Sequence, residues 1–82
     1  MPEPPKIFKI GSRYRVKQSF MSGGTTFVAR EVLVFDFDSY GIYDNCFAYT
    51  FHSQTDGKTK SWYVFNNMSA DSWRQHFESL DD

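Results

Sequence analysis

The 82-residue sequence has one cysteine, Cys46, no proline after Pro5, and no apolar run approaching a membrane span. A single thiol excludes an intramolecular disulfide and a cysteine-built zinc site within one chain, and it fits a reducing compartment. The longest apolar stretches fall far short of the ~18 residues a spanning helix needs, and the start Met-Pro-Glu-Pro-Pro-Lys lacks the basic and apolar pattern of a signal peptide. A cytoplasmic protein without a membrane role is therefore expected. Aliphatic residues are also scarce: Ile, Leu and Val together number ten, too few for an aliphatic helical bundle. A basic excess is missing as well. Nine Lys and Arg against ten Asp and Glu give a net charge of −1, which argues against a polyanion as the main partner.

Aromatic residues are abundant instead. Nine Phe, five Tyr and two Trp make up nearly half of the apolar residues. In one short domain, which buries only about 60% of its unfolded surface, large rings are an efficient way to fill a core. Charge is segregated along the chain. Residues 1–30 carry Lys6, Lys9, Arg13, Arg15, Lys17 and Arg30 against Glu3, whereas residues 31–56 carry Glu31, Asp36, Asp38, Asp44 and Asp56 with no Lys or Arg. Neighbouring strands of opposite sign attract, or else present separate charged faces.

Pro2, Pro4 and Pro5 predict a flexible arm over residues 1–6, ahead of one domain over 7–82. From Arg13 to Met21, Tyr14, Val16 and Phe20 alternate with Arg13, Arg15, Lys17 and Ser19, the pattern of a strand with one wet face. Thr25 to Asp38 is rich in β-formers, interrupted at Ala29-Arg30-Glu31. Its second half places Leu33, Phe35 and Phe37 on one face and Asp36 and Asp38 on the other. Asp38-Ser39-Tyr40-Gly41 reads as a turn. Cys46 to Ser53 and Lys58 to Phe65 read as a hairpin joined through Asp56-Gly57. Ser69 is placed to cap a helix over 69–80, with Ala70, Trp73, Phe77 and Leu80 on one stripe. The predicted fold class is mainly β: a small antiparallel barrel of four to five strands with one C-terminal α-helix.

Gly11, Tyr14-x-Val16, Phe20, Arg30-Glu31-x-Leu33-x-Phe35, Tyr43-Asp44, Phe51, Asp56-Gly57, Trp62 and Phe77 give the chain a resemblance to SH3-like barrels. More narrowly, it resembles a family of small uncharacterised bacterial proteins of that architecture. The resemblance spans about residues 8–80 and implies a fold without implying an activity. Peptide-binding SH3 domains place an acidic-aromatic Tyr-Asp segment at the first strand, paired Trp on the third and a Pro-x-x-Tyr near the end. Here Tyr43-Asp44 lies mid-chain, Trp62 is followed by Tyr63, and proline is absent after Pro5.

Catalytic and metal roles find little in the sequence. Asp36 and Asp38 stand at i, i+2 without a calcium-loop pattern, and His52 and His76 are far apart on different elements. Cys46 and His52, six residues apart on one strand, are separated by ~20 Å at the usual rise. No cofactor, metal or catalytic residue is assigned. The expected function is a non-enzymatic interaction module, monomeric or weakly dimeric. It would bind a protein or peptide through Tyr40, Tyr43, Tyr49, Tyr63, Asp36, Asp38 and Asp44, because aromatics are enriched at interfaces. One special case is an immunity or inhibitor protein opposing a basic toxin. The alternative is a nucleic-acid-binding barrel using Arg13, Arg15 and Lys17. Whether the aromatic surplus is exposed decides how much of this reading stands.

Overall fold

In the computed structural model, residues 4–41, 45–65 and 70–81 are described. The strands are β1 (Arg13–Val16), β2 (Phe20–Ser22), β3 (Thr25–Phe27), β4 (Val32–Gly41), β5 (Cys46–Ser53), β6 (Thr59–Phe65) and β7 (Phe77–Ser79). A 3₁₀ turn at Ala70–Ser72 leads into a one-turn helix, α1, at Trp73–His76. The protein is mainly β. Five strands form an antiparallel sheet in the order β6-β5-β4-β1-β7, and β2 and β3 form a separate two-stranded sheet. Among the described residues the strands do not close into a barrel.

The alternation of the sequence places the rings. Tyr14 and Val16 of β1, Leu33 and Phe35 of β4, Tyr49 and Phe51 of β5, and Trp62 and Val64 of β6 all turn inward and are buried. Phe8 plugs the middle. Its ring stands 5.0 Å from those of Tyr14 and Phe51 and 5.3 Å from Phe35, Tyr49 and Trp73, mostly edge to face, an arrangement that ring quadrupoles favour. Phe27 arrives from β3 and stacks on Phe20 at 4.8 Å.

The hairpin of β5 and β6 forms as its pattern predicts. Gly57 takes φ 73, and the Asp56 carboxylate accepts from the Lys58 N–H. The β2–β3 hairpin lies against the free edge of β6, where the Tyr63 N–H donates to Ser22 Oγ. Gly23, at φ 57, allows this close approach because a Cβ there would collide with the Tyr63 ring.

Four expectations are corrected. The first strand ends at Val16, and Phe20 opens a separate strand. The segment Asp38-Ser39-Tyr40-Gly41 is not a turn, because it continues β4 and pairs with Tyr49, Ala48, Phe47 and Cys46. A bulge at Asp36 also inverts the alternation: Phe35 opposes buried Phe51, but Phe37 opposes Thr50 and points outward, while Asp38 opposes Tyr49.

The fourth correction concerns the helix predicted over 69–80, which is one turn long. Its proposed cap, Ser69, lies outside the described residues. After His76 the chain extends as β7, with Phe77 opposite Val16, Glu78 opposite Arg15 and Ser79 opposite Tyr14. The Lys17 N–H donates to the His76 carbonyl and the Leu80 N–H to the Arg13 carbonyl. Satisfying the backbone groups of β1 outweighs helix propensity here, and Phe77 still reaches the core at 1% exposure.

Candidate functional site

Of the predicted partner-binding residues, Tyr43 and Asp44 lie outside the described residues. The others are dispersed. Tyr49 is a correction: it is fully buried in the core and donates its hydroxyl to the Pro5 carbonyl at 2.9 Å, so it offers no surface. Burial and the neighbouring Asp38 carboxylate push its pKa up to about 12. Asp38 in turn pairs with Lys6 at 3.3 Å, holding part of the Pro-rich arm against the sheet. Asp36 pairs with His52 Nδ1 at 2.8 Å on the opposite face. Tyr40 donates to the Asn45 side chain, and its ring packs 5.6 Å from that of Phe47. Tyr63 is half-buried beneath the β2–β3 turn.

The basic residues of β1 are engaged. Arg13 holds Asp81 at 2.8 Å and also donates its backbone N–H to that carboxylate. These bonds raise the Arg13 pKa and lower that of Asp81. Arg15 meets Glu78 across the β1–β7 pair at 3.2 Å, and Lys17 donates to the Arg74 carbonyl at 2.6 Å. Two of the three cations of the nucleic-acid alternative are thus paired, one with Glu78 of β7 and one with Asp81 just beyond it.

The most buried polar cluster joins Glu31, Lys60 and Ser53. Lys60 Nζ donates to both Glu31 oxygens at 2.7 and 2.8 Å and to the Thr26 carbonyl at 2.9 Å. Ser53 donates to Glu31 at 2.5 Å, and the Val28 N–H donates at 3.1 Å. Burial alone would raise the Glu31 pKa, but the bonds from Lys60, Ser53 and Val28 outweigh it and hold the pKa below the usual carboxylate value. Among the described residues every buried side-chain nitrogen and oxygen has a partner. The cluster therefore ties β3, the chain before β4, and β6 together and leaves no orphan group for a ligand. Alternation sets Lys60 on the face of Trp62 and Val64, but only the tertiary structure brings Glu31 to it.

The outer face of β4, β5 and β6 carries the part of the aromatic surplus that the sequence leaves open between core and surface. Its cross-strand rows are Val34, His52 and Thr59; Phe37, Thr50 and Ser61; Ser39, Ala48 and Tyr63; and Gly41, Cys46 and Phe65. Phe37 is 53% exposed and Phe65 is 45% exposed, and these rows contain no Lys or Arg. Helix α1 does not cover this face, because Trp73 packs on Phe8 and Tyr14 on the inner side. That Phe37 joins this face is what the sequence does not show, because the inversion at Phe37-Asp38 depends on the bulge.

Fold and surfaces together define a small, mainly antiparallel β protein with an aromatic interior and a partly aromatic outer sheet face. No protein-family model and no curated protein matches the sequence. The fold is similar to that of an integron cassette protein from the mobile metagenome of Vibrio cholerae, with a TM-score of 0.70 over 90% of this chain and 87% of that one. The two sequences are 18% identical, so the likeness concerns the fold. No helix among the described residues is long and apolar enough to cross a membrane.

Proposed function

We propose that the protein is a non-enzymatic interaction module that binds another protein or a peptide through the outer face of β4, β5 and β6. The observation that carries this reading is the exposure of Phe37 and Phe65 on either side of Ala48 and Tyr63. An antiparallel sheet with one face on the core ordinarily turns polar residues to water on the other. A sheet face that instead presents large rings among small side chains offers anchors and shallow sockets for a partner. Asp36 and His52 border this face, while Tyr40 and Asp38 sit at the inner rim and support it from beneath. The β2–β3 hairpin on one sheet edge and β7 on the other make the architecture a partly open SH3-like barrel in this reading.

Selection from a displayed peptide library tests the proposal. Peptides retained by the wild type should be lost by the double variant Phe37→Ser, Phe65→Ser, whose melting temperature stays close to the wild-type value because neither ring is in the core. Unchanged retention by that variant would remove the outer face as the binding site.

A further inference from the structure

We propose a second, independent site: the groove along the open edge of β7 binds an extended acidic peptide segment. Two adjoining concavities, of about 570 and 640 Å³, share Lys17 and Glu78. The first is floored by Ile7, Trp73 and Phe77 and bordered by Arg74; the second is bordered by Arg15 and Arg30. Four cations thus face one carboxylate, Glu78, which already pairs with Arg15. Among the described residues no carboxylate lies within ion-pair distance of Lys17, Arg30 or Arg74.

These cations are partly preorganised. The Arg74 guanidinium lies 5.1 Å from the centre of the Trp73 ring, and that ring is itself braced by Phe8 and Tyr14. Lys17 is held by the Arg74 carbonyl. A stacked guanidinium loses less freedom on meeting a carboxylate than a free one does.

The backbone selects a peptide over a nucleic acid. The Lys17–His76 and Arg13–Leu80 bonds bracket the Arg15–Glu78 pair, so Glu78 turns its amide and carbonyl to β1. Phe77 and Ser79 then turn theirs away. The Phe77 N–H is used by the Trp73 carbonyl, which leaves the Phe77 carbonyl and both Ser79 groups on the open edge. An added strand satisfies such groups, and its acidic side chains reach the cations in the two concavities. Phosphate chains have no use for that ladder.

Titration of the isotope-labelled full chain, followed by amide chemical shifts, tests this. The probes are an alternating Glu-Val peptide, its Gln-Val counterpart and oligothymidylate. The Glu-Val peptide should shift the amides of Ser79, Phe77, Lys17 and Arg74 and weaken with added salt. Lys17→Glu or Arg74→Glu, each retaining the wild-type spectrum elsewhere, should reduce affinity by at least about tenfold. Phe37→Ser, Phe65→Ser should bind as wild type, which separates this site from the outer face. Equal binding of the Gln-Val peptide, shifts confined to other strands, preference for oligothymidylate, or no shift at millimolar Glu-Val peptide would each overturn the proposal.

Discussion

At the scale of single residues, the polar interior is concentrated in Glu31 and Lys60. Burying either charge alone is costly, and the two are paired with each other and hydrogen-bonded to Ser53, Val28 and Thr26. Lys60→Ala should therefore destabilise the fold by about 3–5 kcal/mol, because it strands the Glu31 carboxylate. The double variant Glu31→Gln, Lys60→Met leaves no buried charge and should cost much less; urea denaturation of both proteins measures the difference. A folded-state pKa below the unfolded value means that Glu31 contributes stability above its ordinary value of 4.5. That stability is lost as pH falls through the lower folded value. Alternation with Trp62 and Val64 turns Lys60 inward, but nothing in Lys58-Thr59-Lys60-Ser61 signals that Glu31, from the chain before β4, meets it there.

At the scale of elements, the sequence pattern was most informative where one chain segment pairs with its immediate neighbour. Phe47, Tyr49 and Phe51 against Trp62 and Val64, joined through Asp56-Gly57, form the hairpin their alternation calls for. The C-terminal stripe of Ala70, Trp73, Phe77 and Leu80 misled, because helical spacing also fits one helical turn followed by a strand. Which of the two forms depends on the unpaired edge of β1, some sixty residues earlier. Backbone carbon chemical shifts should be helical only through about His76 and extended over Phe77–Ser79. The Leu80 amide should be protected from exchange by the Arg13 carbonyl. Helical shifts continuing through Ser79 would contradict the β7 assignment. The same limit applies to β4, where the inserted Asp36 reverses the two faces. Composition does not announce a bulge.

At the scale of the whole molecule, rings from the amino-terminal segment, the main sheet, the β2–β3 hairpin and the carboxy-terminal strand meet in one aromatic interior. His76 sits at its margin, 4.3 Å from the Phe20 ring and 5.8 Å from Trp62. Burial lowers its pKa below the ordinary 6.5, so the folded state favours the neutral ring. Its contribution to stability is present above pH 6.5 and is lost as pH falls through the folded-state value, a higher window than that of Glu31. Thermal melts across that range should show the decline in the wild type, and His76→Phe should flatten it; parallel profiles would assign the decline elsewhere.

The sequence by itself determined that this chain is mainly β, that it lacks an intramolecular disulfide, and that rings supply its core, because composition and period-two alternation are local properties. Only the tertiary structure decided which rings face outward and where the cations lie. It buried Tyr49, turned Phe37 to the surface through a bulge, and brought Asp81 and Glu78 to Arg13 and Arg15 while leaving Lys17 and Arg74 at an open edge. Each of these depends on strand register and on partners distant in the chain, and such pairings follow from satisfying backbone and charge in three dimensions.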